Sequence, residues 1–221
     1  MRLFLATTAI DDIRWAADAG LIDGVVATPT IIASEAPNAE ARDVISEIAR
    51  ATRLPICASV PAVSAAEIVR GARDLRKLSE RLIVAVPFIE DAVPAIRRLT
   101  SDGVTVAATL VYSAAQGILA AHAGAAMVTV STDALDTVGA DGASVLRELR
   151  TAFDHVGAEC DVAAAGPANA SRFAAAAVAG ADVAIVTPEV LRSLLQHPLT
   201  DRGLDRFLVA VARRTRGKRQ K

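Results

Sequence analysis

Carbonyl chemistry through a carbon–nitrogen double bond needs a primary amine, and beyond its N-terminus the sequence has three: Lys77, Lys218 and Lys221. Such an amine works when a dry pocket lowers its pKa. Lys77 lies in the charged stretch RDLRKLSE, expected at an outer or lower edge, and the other two lie in the terminal run RRTRGKRQK, so none is placed for that task. Arginine cannot substitute, because its guanidinium stays protonated. Metal-assisted carbonyl chemistry would need histidines and carboxylates converging on one rim. His122 reads as a packed or surface residue of a helix, His155 as a helix-end residue and His197 as part of the turn HPLTD, so no metal site and no cofactor are expected. Cys57 and Cys160 form no C-x-x-C pair, and Cys57, in an apolar run without a histidine nearby, reads as a buried structural thiol.

Hydroxyls and one carboxylate remain. Ser59, Thr109, Tyr112, Ser131 and Asp133 suit a polar, weakly charged pocket, with Asp133 either a base or a loop cap. Asn169 stands at a helix start with Arg172 close by, where bare backbone N–H groups could contact an anion; Arg172 projecting to solvent is the alternative.

Eight short apolar runs must position these groups: residues 2–7, 24–28, 55–60, 82–87, 105–111, 127–132, 161–166 and 183–187. Most are continuously apolar, as parallel strands covered on both faces are. Helical segments lie between them. Residues 11–19 open on acids and close near Gly20, and residues 64–78 start with Ser64 and Glu67 at capping-box spacing. Residues 90–103 carry Pro94 early and end at Gly103, residues 114–124 end at Gly124, and residues 169–180 run from an Asn169 N-cap to Gly180. Eight strands, each followed by a helix, predict an α/β fold, a single-domain (β/α)8 TIM barrel. A doubly wound sheet is the alternative, and no strand is followed by its G-x-G-x-x-G turn. The barrel and a C-terminal helix span 1–212, and 213–221 form a basic tail read as solvated and frayed. The amphipathic segment LDRFLVAVARR is suited to packing on another surface.

The balance of the chain fits one aliphatic core: 221 residues, 52% hydrophobic, 22% charged and only 3% aromatic. A net charge of −1 gives no global field for nucleic acid or acidic membranes, and the basic tail lacks the aromatics or recognition helix of a nucleic-acid contact. No apolar run approaches a membrane span or a signal peptide, so a cytoplasmic, reduced protein is expected.

Three stretches resemble the small transaldolases and fructose-6-phosphate aldolases: GLIDGVVATPTIIASE, TLVYSAAQGILAAHAGA and HPLTDRGLDRF, in order and in register with the βα units. The resemblance implies a TIM barrel, a ring-like homo-oligomer, and aldol chemistry through a lysine Schiff base on a sugar phosphate. Carried across, however, the family's functional residues meet replacements. The strand-four lysine falls on Ala85 of VAVP, the first-strand aspartate on Ala6, and the T-T-N of the second strand on Val26, Ala27 and Thr28. The glutamine of strand three falls on Ser59, the tyrosine after strand six on Ser131, the phosphate arginine on Ala134, and the S-x-K after strand seven on Gly166 and Ala168. Thr109, Tyr112 and Gln116 are kept. The expected pocket lining is therefore Thr28, Ser59, Ala85, Thr109, Tyr112, Gln116, Ser131 and Asp133, with no catalytic residue assigned. Three functions follow as expectations: a non-catalytic, oligomeric homologue; an enzyme with a repurposed hydroxyl-lined pocket for a small, weakly charged substrate; or an ordinary aldolase of the family.

Overall fold

The computed structural model describes residues 1–219, with side chains through Val211. Eight parallel strands close into a barrel in chain order: β1 (Arg2–Ala6), β2 (Gly24–Ala27), β3 (Ile56–Ser59), β4 (Leu82–Pro87), β5 (Val106–Val111), β6 (Met127–Ser131), β7 (Asp161–Ala165) and β8 (Val183–Val186). The helices are α1 (Ile10–Asp18), α2 (Pro29–Glu35), α3 (Ala41–Ala51), α4 (Ala65–Arg76), α5 (Val93–Ser101) after a 3-10 turn (Glu90–Ala92), and α6 (Ala114–His122). They continue with α7 (Thr132–Thr137), α8 (Gly142–Val156), α9 (Ala170–Val178), α10 (Pro188–Leu194) and α11 (Pro198–Arg219). The predicted (β/α)8 barrel is the fold, and every predicted strand is present.

Alternation along each strand separates two apolar layers. In β4, Leu82, Val84 and Val86 pack outward under the helices, while Ala85 joins the barrel interior. That interior holds Phe4, Val26, Cys57, Ala85, Ala107, Met127, Ala163, Val183 and Ile185. Its few large side chains crowd locally: a Cβ on Gly24 would stand 2.7 Å from the Phe4 ring, so glycine at 24 makes room for that ring. At the strand N-terminal end, Arg2 of β1 pairs with Asp161 of β7.

Several expected local features take a different form. Ser64 begins α4 in an extended conformation, yet its hydroxyl donates to Glu67 Oε2 at 2.7 Å instead of accepting a backbone N–H. An ionised carboxylate is the stronger acceptor and captures the hydroxyl proton. A capping arrangement of the expected type occurs at α6, where Ser113 Oγ accepts the Gln116 N–H at 3.3 Å and Gln116 Oε1 accepts the Tyr112 N–H at 3.0 Å. The predicted turn HPLTD is instead the start of α11: His197 stands immediately before Pro198, and its Nδ1 accepts the Leu199 N–H at 3.1 Å. The α11 backbone is described to Arg219; the expectation of a frayed tail over 213–221 falls on side chains outside the described residues, as do Gln220 and Lys221 entirely. Among the described residues no helix is long and apolar enough to cross a membrane.

Candidate functional site

The strand C-termini open onto a cavity of about 730 Å³. Strand register brings its walls together: Ser59 of β3 lies beside Ala85 of β4, Pro87 beside Thr109 of β5, and Ser131 of β6 beside Ala165 of β7. Thr28, Ser59, Thr109, Ser131 and Asp133 line this mouth, together with Ala6. Ala85 lies below the lining, 1% exposed and packed among Cys57, Ala107 and Ala163. Those short side chains leave the upper barrel without filling groups, and the cavity stands above them.

Tyr112 and Gln116 are expected in the mouth but lie outside it. The β5–β6 register shifts between Ala108 and Val111, and Leu110 adopts φ 57° in that bulge. The shift turns Val111 into the outer layer and the half-exposed Leu110 onto the mouth; β5 ends at Val111, and Tyr112 begins the exit to α6. Gln116 serves the cap described above and lines an outer hollow with Phe88, Arg97 and His122.

Sequence reasoning missed Thr129. Its side chain is 7% exposed, lines the mouth, and its Oγ has no hydrogen-bond partner among the described residues. A buried, unpaired hydroxyl costs roughly 1–3 kcal/mol. Parity was the available signal, since Thr129 stands two residues before Ser131 on one strand and so faces the same side. The hydroxyls of Thr28 and Thr187, by contrast, are engaged at the starts of α2 and α10, accepting the Ile31 and Val190 N–H groups.

Asp133 stands in the first turn of α7 and is the sole charged side chain among the described residues of the lining. Gly166 faces it at φ 79°, and a Cβ there would come within 2.5 Å of the Asp133 carboxyl carbon. Beyond this pair a smaller hollow of about 300 Å³ holds Asn169 and Arg172, the expected anion contacts. Both are committed within the fold. Asn169 Oδ1 accepts the Arg172 N–H at 3.0 Å, and Arg172 Nη1 pairs with Asp136 at 3.2 Å. With Asp133 and Asp136 both present, this hollow carries two carboxylates against one guanidinium.

The reactive groups weighed from the sequence lie elsewhere. Lys77 follows the end of α4, exposed and 2.7 Å from Asp74. Burial pushes the Cys57 thiol up to about 12, and burial with the neighbouring Asp161 does the same to Cys160, so neither is a ready nucleophile. Among the described residues, no three His, Cys, Asp or Glu side chains cluster as metal ligands.

Fold and mouth together define a (β/α)8 barrel of the class whose ligands meet the strand C-termini. The chain belongs to the transaldolase/fructose-6-phosphate aldolase family, whose model matches residues 3–218. It is 41% identical over 208 residues to a probable transaldolase of Heliobacterium modesticaldum, covering 94% of this chain and 96% of that one. A probable transaldolase of Hyphomonas neptunium is 39% identical over 209 residues, covering 94% and 95%. One of Chelativorans sp. is 38% identical over 213 residues, covering 96% and 97%.

Proposed function

We propose that this chain is a transaldolase-like barrel that does not carry out lysine-dependent aldol chemistry. The observation that carries the reading is the composition of the mouth: no lysine is among its described lining residues, and Ala85 ends below it. An imine requires a nitrogen nucleophile with two removable protons, and neither hydroxyls nor a carboxylate supplies one. Proton transfer and phosphate binding are weakened together with it. Ala6 and Ser131 stand where the family resemblance puts an aspartate and a tyrosine, and Asp133 sets a negative charge against any phosphate.

The test is turnover of fructose 6-phosphate in both aldol directions. The wild-type chain is expected to give none, and the double variant Ala85→Lys with Ala6→Asp to regain a measurable rate. Wild-type turnover at a family-like rate would overturn the reading. A second reading, a repurposed pocket, is favoured by the open cavity, which no side chain among the described residues plugs.

The chain is further proposed to assemble with copies of itself through α11. Leu204, Phe207 and Leu208 stand on one helical face at i, i+3 and i+4, each more than half exposed. The resemblance carries the same implication, since a similar C-terminal segment packs on a neighbouring subunit in that family.

A further inference from the structure

We propose that the barrel mouth binds a small uncharged molecule with an apolar body and one carbonyl or hydroxyl oxygen, and that this oxygen is received by Thr129. The inference rests on the reading above and deepens it by naming the ligand class of the same site.

Three observations converge. The first is size and surface: about 730 Å³ opens above the strand ends, in the range of small-molecule sites, with Val26, Ile31, Val60, Val63, Leu110 and Ile185 on its walls. The second is Thr129, which lines this cavity and whose hydroxyl is buried with no partner among the described residues, so that a turn about its χ1 is what brings it to an occupant. Buried hydroxyls are ordinarily satisfied, so an orphan at the wall of a ligand-sized cavity marks a bond that an occupant completes. A hydroxyl both donates and accepts, which suits a ketone or an alcohol equally. The third is charge. Asp133 is the one charged group among the described residues of the lining, so an anion meets repulsion with no cation opposite it. Asp133 is exposed on the rim, so it offers a cation little beyond a solvated contact.

Leu110 adds to the apolar character. The β5 bulge sets its side chain at the lip in a left-handed conformation, 49% exposed, where an occupant would cover it. Such backbone outliers persist where the surrounding structure over-determines them.

The experiment uses the full chain with methyl groups of Thr, Val, Ile and Leu isotopically labelled, titrated separately with 2-octanone, octanoate, octylammonium and fructose 6-phosphate. With 2-octanone, saturable shifts are expected at the methyls of Thr129, Val26, Ile31 and Ile185. Thr129→Val keeps the shape, removes the hydroxyl, and is expected to weaken 2-octanone by about tenfold while leaving the fold intact. Ala165→Leu narrows the mouth from a different strand and is expected to weaken it at least as much. Octanoate, octylammonium and fructose 6-phosphate are expected to bind more weakly than 2-octanone. No saturable shift with 2-octanone, equal affinity in Thr129→Val, or tighter binding of any charged probe would overturn the assignment. Such a failure is separable from failure of the underlying reading, which would appear as a covalent sugar-phosphate adduct and not as a missing methyl shift.

Discussion

The two thiols are where burial most directly sets chemistry. Cys57 faces the interior of β3 among Ala85 and Ala107, and its thiol is held at about 12 because a thiolate there would lose its hydration. The sign of the consequence follows from proton counting. Below pH 9 both folded and unfolded chains keep the thiol protonated, and its contribution to stability is fully present. Above pH 9 the unfolded thiol ionises while the native one holds its proton, so stability falls with rising pH until about 12. Urea midpoints measured from pH 8 to 10.5 should therefore decline, and less steeply in Cys57→Ala. In the native state at pH 8, Cys57 and Cys160 should resist iodoacetamide for hours and react on unfolding. The residue scale was partly legible in the sequence: an apolar run without a histidine pointed to an inert Cys57. Thr129 is less legible because it sits two positions inside the end of its strand, although strand parity places it on the same face as Ser131.

Two connections at the mouth set how its elements meet. Glu35, at the end of α2, accepts the Thr7 and Thr8 hydroxyls and the Thr8 N–H at 2.6–2.9 Å, tying the exit of β1 to the helix after β2. Replacing it with alanine strips three bonds from a loop whose Thr7 is buried, and should cost about 1–2 kcal/mol in urea unfolding. Gly166 closes β7 over the Asp133 carboxylate. Gly166→Ala should cost about 1–3 kcal/mol through its positive φ and the contact with Asp133, and adding Asp133→Ala should restore only the contact share. Strands were readable to within a residue or two because parallel strands buried on both faces leave unbroken apolar runs. The bulge at Leu110 was not readable, since Thr-Leu-Val-Tyr composition is the same with or without a one-residue shift. Tyr112 follows the last residue of β5 and stands outside the mouth lining. The six-residue α7 is too short to show a helical period, and α2 was hidden inside a motif although Thr28–Pro29 carries both an N-cap and a proline suited to a first turn.

At the scale of the whole molecule, closure of the sheet determines what the pocket can be. A barrel with a filled lower interior and alanines above it presents an open, weakly charged mouth, while most of its buried apolar packing lies in the outer layers. The fold class was legible from the alternation of apolar runs and amphipathic segments; the ownership of each mouth position required the closed register. Self-assembly through α11 predicts that Phe207→Glu with Leu208→Glu lowers the mass seen by sedimentation, whereas an unchanged mass would remove α11 from the interface. The mouth is proposed to form no carbon–nitrogen double bond with a carbonyl compound. Intact mass spectrometry after borohydride reduction in the presence of dihydroxyacetone or fructose 6-phosphate measures that bond directly. An unmodified wild-type mass is expected; a stoichiometric adduct mapped to Lys77, Lys218 or Lys221 would contradict the proposal.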